Sequence, residues 1–308
     1  MHINRPFRHT VWLVLLLVLG FGCCGWIFWQ IITNELRYFV DSSGKPFTVI
    51  HLTSTADANL QEMPENSVAL STEGSIVAVK MANVSGDVVS RVWRTPSITS
   101  IWMRHCRLPE DVLSSPPFLQ ELVSHDCSMA DRTLLEISKP ETLKLLVLMN
   151  EELLTASTIS KVVDRHHLRH LSLWNIPSLE SEHFTVGESS MTQLTSLYLV
   201  GDTIDDEVLR QLATGGNLRV LFIYNSDISD GAVADALQSN PKLAELVFTD
   251  CPLSIDTLLK AKTLNDLRLL TASHSPADLD QARRLRSELQ QRHPEAQITL
   301  FSAKNQKK

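Results

Sequence analysis

The sequence predicts an α/β solenoid in which short parallel strands stack side by side and helices pack behind them. Two observations predict this fold class. A motif of the form L-x-x-L-x-L, where L is any aliphatic residue, recurs along the chain, and successive copies start 21 to 26 residues apart. A unit of that length has room for one strand, one turn and one helix, but it cannot bury its apolar side alone. Stacking of the units therefore has to create the core.

The copies of the motif define a predicted array over residues 76–274. The clear copies start at Leu143, Leu168, Leu194, Leu218, Leu243 and Leu264. Weaker copies start at Ile98 and Leu119, and an irregular first copy starts at Ile76. The spacing lies in the range that is typical of leucine-rich repeats.

The residues after each strand predict a turn and then a capped helix. Inward positions such as Cys106, Cys127 and Glu151 close the buried side of each unit. Four positions after these inward residues, the successive repeats carry a set of equivalent residues that we call a column: Glu110, Asp131, Thr155, Glu180, Asp206, Asp230 and Ile255. Because Asp and Thr oxygens accept hydrogen bonds from the free N–H groups of a helix start, we predict that they are N-caps. This role explains the periodic carboxylates without a calcium or acid–base site.

Two of the units carry a resemblance to a known family. Residues 203–212 (TIDDEVLRQL) and 227–237 (DISDGAVADAL) resemble the leucine-rich repeats of planctomycete-type bacterial proteins. Those repeats are themselves similar to the cysteine-containing repeats of F-box substrate adaptors. The likeness covers 76–301 and is most specific over 143–270. It implies a right-handed horseshoe with strands on the concave side and helices on the convex side, and it implies no activity. The F-box segment is missing, so an adaptor role is not implied.

The chain ends predict a membrane anchor and terminal caps. Residues 11–32 are 22 residues without a formal charge, and a helix of that length spans roughly 33 Å, enough to cross a bilayer. Arg5 and Arg8 precede this segment, so residues 1–10 are predicted to be cytoplasmic and the repeats extracytoplasmic. A cleaved or lipidated signal peptide is the alternative, with the repeats on the same side. Residues 33–75 are predicted to be a juxtamembrane linker and N-terminal cap, and residues 275–308 a cap helix, a final strand and a tail.

Composition and motifs argue against several function classes. The net charge is −7, without the basic stripe that nucleic-acid binding requires. His166, His167 and His170 lie at a strand entry and have no carboxylate cluster nearby, which disfavours a metal site. The sequence has no nucleophile elbow and no phosphate-binding loop. We therefore expect no enzyme, no cofactor and no small-molecule substrate.

Cys106 and Cys127 occupy the same column in adjacent repeats. Neighbouring strands lie about 4.8 Å apart, which is within the reach of a disulfide. A free cysteine also packs well in such a buried position. The sequence leaves both possibilities open.

The strand face turned away from the helices, called here the concave face, is predicted to be the binding surface. Strand residues alternate, so each strand contributes outward side chains to two columns. The first column contains Trp102, Val123, Val147, Ser172, Tyr198, Phe222, Val247 and Arg268, and the second contains Arg104, His125, Met149, Trp174, Val200, Tyr224, Thr249 and Leu270. Aromatic and Met side chains are favoured in interface hot spots.

We therefore expect a protein partner to contact the concave face. The candidate contact residues are Trp102, Arg104, Val147, Met149, Trp174, Tyr198, Phe222 and Tyr224. The alternative is that these side chains pack on each other or are covered by loops or caps. The alternative function is that of a structural component of the cell envelope that acts by self-association.

Overall fold

The computed structural model describes residues 45, 47–51, 63–108, 115–165, 167–177, 179, 184–251, 253–274 and 279–302. Residues 11–32, on which the predicted membrane helix falls, lie outside this set. Among the described residues, no helix has both the length and the apolar character needed to cross a bilayer.

The described strands form one sheet of twelve, arranged in chain order. Neighbouring strands pair in parallel, apart from β2 and β3, which are antiparallel. The strands are β1 Thr48–His51, β2 Ser67–Leu70, β3 Ile76–Ala82, β4 Ser100–Arg104, β5 Glu121–His125, β6 Leu145–Met149, β7 His170–Trp174, β8 Ser196–Val200, β9 Val220–Tyr224, β10 Glu245–Thr249, β11 Leu269–His274 and β12 Gln297–Ser302. The chain is thus a parallel-stranded α/β repeat solenoid of the leucine-rich-repeat type.

Helices connect most of the successive parallel strands. In the part of the chain that the structure describes, they are α1 Gly86–Arg94, α2 Asp131–Ile137, α3 Ala156–Arg165, α4 Asp206–Leu212, α5 Asp230–Ser239, α6 Ile255–Leu259 and α7 Leu279–Arg292, with 3₁₀ turns at Glu188–Gln193 and Lys260–Thr263. Apolar residues of the helices and the inward residues of the strands form one continuous buried cluster. The core therefore lies between the sheet and the helices, as the repeat pattern predicts.

The register of the strands tests the starting points of the predicted copies. Val79 pairs with Ile101 and Met81 with Met103, so the irregular copy at Ile76 is part of the parallel array. The predicted start at Leu264 is wrong, because Leu246 pairs with Leu270 and places the start three residues later, at Leu267. Leu264 and Leu267 are both acceptable first residues of the motif. Leu264 instead fills the core directly after a 3₁₀ turn. Consequently Leu270 is buried and does not lie on the concave face.

Most of the strands end at a residue in the left-handed backbone region. These residues are Asn83, His105, Asp126, Asn150, Asn175, Gly201, Asn225 and Asp250, with φ between 48° and 54° except at Gly201, where φ is 128°. Asn, Asp and Gly adopt this conformation at the lowest cost. The recurring Asn and Asp directly after the strands therefore turn the chain from the sheet towards the helices.

The N-cap assignment of Asp131, Asp206 and Asp230 is wrong. Each is the first residue of its helix, and the residue before it is the N-cap. The three carboxylates instead accept hydrogen bonds from the next repeat. Asp206 accepts from the Ser229 amide at 2.7 Å and from its hydroxyl at 2.5 Å, and Asp230 accepts from the Ser254 amide at 2.8 Å.

Asp131 bonds the amide and the hydroxyl of Thr155, both at 2.8 Å. Thr155 is itself at the start of α3, where its hydroxyl accepts from the Thr158 amide at 3.3 Å. The hydroxyls of Ser229 and Ser254 cap their own helices in the same way. The result is a ladder in which a carboxylate of one repeat fixes the helix cap of the next.

Candidate functional site

The concave face carries three columns of side chains where the sequence predicted two. The strands from β5 to β10 are five residues long, and their first, third and fifth residues alternate with the inward ones. Most of these residues are half-buried or exposed, but Val123, Ser172 and Val200, which the sequence predicted on the concave face, are buried. Register places Trp102, Val147, Tyr198 and Phe222 in one column and Arg104, Met149, Trp174 and Tyr224 in another. The third column begins each strand and contains Glu121, Leu145, His170, Ser196, Val220 and Glu245. Because strand side chains alternate with a period of two residues, continuing the alternation two residues towards the start of each strand would have predicted this third column.

The N-terminal part of the concave face is occupied by its own charged side chains. The Lys80 ammonium lies 4.8 Å from the centre of the Trp102 ring, a cation–π contact. The Arg104 guanidinium forms an ion pair with Glu65. Trp102 is half-buried and Arg104 is exposed. The aromatic ring and the positive charges at this end thus already have intramolecular partners.

The central part of the concave face is apolar and is bordered by a polar row. Val147 and Met149 are half-buried on β6. At the strand ends, the Asn175 amide donates to Asn150 Oδ1 at 3.0 Å, and Asn150 Nδ2 lies 3.3 Å from the His125 ring. His125 Nε2 lies 3.0 Å from Asp126 Oδ2. Among the described residues, no three His, Cys, Asp or Glu side chains are arranged as metal ligands.

An aromatic cluster occupies the C-terminal part of the concave face. It consists of His170, Trp174, Tyr198 and Phe222, with Tyr224 beside it. Ring centres are 4.9 Å apart for His170 and Tyr198, 5.6 Å for Tyr198 and Phe222, and 6.5 Å for Trp174 and Phe222, whose planes are 2° from parallel. Trp174 Nε1 donates to Ser172 Oγ at 2.6 Å, which fixes the indole. The rings therefore pack on each other.

The aromatic cluster nevertheless remains accessible. Its members are half-buried, and Tyr224 is 39% exposed. Burial lowers the pKa of His170, which favours a neutral imidazole. Burial, and then the nearby Glu245 carboxylate, raise the pKa of Tyr198, which keeps its phenol protonated. The cluster is thus an uncharged, partly exposed platform on a rigid sheet.

Three aspartates follow the strands in this part of the sheet: Asp202 follows β8, Asp227 follows β9 and Asp250 follows β10, each at a different distance from the strand end. Asp227 lines a cleft together with Arg210 and the first residues of α4. Within the described residues, their carboxylates have no hydrogen-bond or ion-pair partner. Asp202 and Asp227 are exposed and Asp250 is half-buried. The repeat pattern predicts Asp202 among the inward residues that close each unit, and this prediction is wrong, because the side chain is exposed.

A buried carboxylate lies on the inner side of the sheet. Glu151 is 0% exposed. It accepts hydrogen bonds from Ser124 Oγ at 2.7 Å, from the Cys127 amide at 3.2 Å and from the Met129 amide at 2.7 Å. Burial raises the pKa of Glu151 even though these bonds oppose the shift. The residue joins two adjacent repeats from inside the core.

Cys106 and Cys127 lie next to each other in the inner column and are free thiols. The Cys106 amide donates to Cys127 Sγ at 3.4 Å. The hydrogen bond with Cys127 lowers the pKa of the Cys106 thiol, and the same contact, with burial, raises the pKa of Cys127. Cys251 occupies the equivalent place in a later repeat, where burial raises the pKa of its thiol to about 11.

Comparisons with known proteins add little to this description. No protein-family model matches the chain, and no curated protein sequence matches it. Among solved structures, an internalin from Listeria monocytogenes is similar, with a TM-score of 0.49 and 17% sequence identity over 79% of this chain and 73% of that one. A likeness this distant carries no functional argument. The fold type rests on the strand register and repeat lengths of the chain itself.

Proposed function

We propose that the chain is a non-enzymatic protein-binding module that contacts its partner through the concave face. The observation that carries this proposal is the aromatic cluster, whose partly exposed rings sit beside Tyr224, 39% of which is exposed. Large aromatic side chains supply much of the binding energy at protein interfaces. Trp102, Arg104, Val147 and Met149 extend the same surface towards the N-terminus.

The rigidity of the scaffold supports the same proposal. The strands are locked in register, Glu151 bonds two repeats from inside, and the carboxylate ladder fixes successive helix caps. A surface that is already ordered loses little conformational entropy when it binds. The concave face therefore suits recognition by shape on a preformed surface.

We also propose that residues 11–32 tether the module to a membrane, with residues 1–10 cytoplasmic and the repeats outside the cytoplasm. The uncharged run and the preceding arginines support this arrangement. In sealed vesicles with the cytoplasmic side inward, added protease should digest the repeats. Protection of the repeats would contradict the topology. We further assign the repeats to the planctomycete-type subclass on the sequence of 203–212 and 227–237.

The binding proposal is tested by removing the rings. Trp174→Ala combined with Tyr224→Ala should lower partner capture at least about thirtyfold, since one hot-spot side chain contributes about 2 kcal/mol or more. Phe118→Ala is the matched control, because Phe118 is 60% exposed and lies outside the columns of the concave face. Capture is measured by crosslinking in the native membrane followed by mass spectrometry. Identical crosslinked partners in wild type and the double variant would refute the proposal.

A second candidate function is assembly by self-association. It is favoured by β12, which pairs with β11 on one side and has no described strand on the other. An open strand edge is a template for pairing with another chain. Light scattering of the purified full-length protein separates the two candidates. Self-association predicts a concentration-dependent mass without added partner, whereas the binding module predicts a constant mass.

A further inference from the structure

The last strand of the sheet, β12, has one side of its backbone free to pair. The Gln297 amide donates to the Arg268 carbonyl at 2.8 Å, so Gln297 faces β11. Backbone groups alternate along a strand, and those of Ile298 and Leu300 therefore point away from β11. Within the part of the chain that the structure describes, no strand pairs with this side. Such an edge is a template for another strand.

The apolar core is also incomplete at this edge. Leu300 belongs to a row of inward residues in which it follows Phe248 and Ala272. Phe248 and Ala272 are 1% and 0% exposed, whereas Leu300 is half-buried. The earlier residues of the row are covered by a strand on each side, and Leu300 by one only. A strand added next to β12 would therefore complete the burial of Leu300.

Helix α7, which packs on β12, carries a row of hydrogen-bond donors along one flank. The residues that it buries in the core are Ala282, Leu285 and Leu289. Arg283, Arg286 and Gln290 each follow one of these by a single position, so they share one flank of the helix. A groove runs along this flank, and its described lining residues are Arg283, Arg286, Ser287, Gln290 and Gln291. We call it the arginine groove, and none of these residues is acidic.

The arginine groove lies on the side of α7 that faces the open edge. The helices follow each other in chain order, so α6 lies on one side of α7 and the open edge of the sheet on the other. All described lining residues come from α7, and none comes from α6. The groove and the free side of β12 therefore border the same space.

The positive charge in the arginine groove has little counter-charge. Arg283 forms an exposed ion pair with Asp280 at 3.4 Å, and Arg286 has no partner among the residues that the structure describes. Arg210, by contrast, contacts three carboxylates. Residues 279–308 contain seven Lys and Arg and three Asp and Glu, although the whole chain has a net charge of −7. This end is thus a local positive region of an acidic chain.

We propose that the β12 edge and the arginine groove together bind an extended acidic segment of a protein partner, which adds a strand to the sheet. Main-chain hydrogen bonds to Ile298 and Leu300 hold the segment. Every second side chain of an added strand points towards the helices. At those positions the stem of a Glu covers Leu300, and its carboxylate pairs with Arg283 or Arg286. This surface is separate from the concave face and goes beyond the binding function proposed above.

The charge of this region favours an acidic peptide over two other occupants. Two copies of the chain joined through their β12 edges would bring two arginine grooves together, and like charges repel. A long polyanion such as a nucleic acid would extend beyond α7 along a chain whose remaining residues carry the negative excess. A short acidic segment contacts only the local positive region.

The probe is a labelled synthetic decapeptide of alternating Glu and Val. It is compared with the same peptide carrying Lys in place of Glu, and with the Glu peptide methylated on its backbone amides. Full-length protein in detergent micelles is titrated and followed by fluorescence anisotropy, with binding to empty micelles subtracted. The Glu peptide should bind at least about tenfold more tightly than the Lys peptide. Methylation should weaken its binding at least about tenfold, because it removes the main-chain donors of an added strand.

Two double variants of the same helix assign the effect to the arginine groove. Arg283→Gln with Arg286→Gln should lower the affinity for the Glu peptide about tenfold. Arg284→Gln with Arg292→Gln removes the same charge from exposed positions outside the groove. It should leave the affinity unchanged within about twofold, since exposed charges are screened by salt. Gln and Arg have similar helix propensities, so both variants keep the helix.

Four results would overturn the inference: no binding of the Glu peptide, equal affinity for the Glu and Lys peptides, equal weakening by both double variants, or undiminished binding of the methylated peptide. A concentration-dependent mass of the protein alone that falls when the Glu peptide is added would assign the edge to a second copy instead. The concave face is judged separately. Trp174→Ala with Tyr224→Ala should leave the affinity for the Glu peptide unchanged, whatever its effect on native crosslinks.

Discussion

Replacing Glu151 with alanine should destabilise the array strongly. The side chain is fully buried and accepts hydrogen bonds from the amides of Cys127 and Met129 and from the Ser124 hydroxyl. The substitution leaves two buried amides without acceptors, and each costs about 1–3 kcal/mol. Adding the lost hydroxyl bond gives an expected loss of about 3–5 kcal/mol in the free energy of unfolding.

Glu151→Gln isolates the contribution of the charge. Burial raises the pKa of Glu151 in the folded protein, whereas in the unfolded chain the carboxyl titrates near its ordinary value of about 4.3. The folded state therefore binds the proton more tightly. The stability gained from this tighter proton binding is fully present below the pKa of Glu151 in the unfolded chain. It is lost as pH rises through the pKa of Glu151 in the folded protein. The advantage of wild type over Glu151→Gln should shrink as pH rises from about 4 towards neutrality.

Urea denaturation followed by far-ultraviolet circular dichroism measures both effects across this pH range. Glu152→Gln is the matched control, because Glu152 is adjacent and exposed. Its effect should stay within about 0.5 kcal/mol at every pH. A loss below about 1 kcal/mol for Glu151→Ala would refute the assignment of the buried acceptor. A difference between wild type and Glu151→Gln that does not change with pH would refute the raised pKa.

Two further predictions concern the packing of the repeats. Gly215→Ala would place a Cβ 2.0 Å from a backbone oxygen of the neighbouring repeat. We therefore expect the free energy of unfolding to fall by about 2 kcal/mol or more in the same urea assay. The matched control is Gly231→Ala, which leaves 3.6 Å of clearance at a helix start and should be neutral or stabilising by up to about 1 kcal/mol. Cys106, Cys127 and Cys251 are buried free thiols, so an alkylating reagent should modify none of them in the folded protein and all three after unfolding. Mass spectrometry of the peptides counts the added groups, and alkylation of Cys106 or Cys127 in the folded protein would contradict their burial.

The strand array could be predicted from the sequence because its signal is redundant. Each unit repeats the same aliphatic spacing, so an error in one copy leaves the others in place. The wrong start at Leu264 shows the limit: Leu264 and Leu267 both begin an acceptable match, and only the pairing of Leu246 with Leu270 separates them. The helix N-caps were predicted one residue too far along the chain for a similar reason. Asp205 and Asp206 are both suitable residues, and the backbone conformation that makes Asp205 the cap is not visible in composition.

The candidate site was predictable in position but not in detail. Alternation placed Trp174 and Phe222 on the concave face, yet their near-parallel packing at 6.5 Å depends on rotamers. The contact of His170 with Tyr198 was missed because His170 was interpreted as part of a strand entry. The contact of Lys80 with Trp102 could not be predicted either, because it depends on the register in which β3 pairs with β4.

The carboxylate ladder gives the array a polarity along the chain. Asp206 of one repeat holds Ser229 of the next, and Asp230 in turn holds Ser254. Deleting units from the C-terminal end leaves every remaining cap with its carboxylate. Deleting the unit that carries Asp206 or Asp230 takes the carboxylate away from the cap that follows it. A unit copied in tandem between 206 and 254 would carry both halves of the link, so the solenoid can be lengthened there without a mismatched joint.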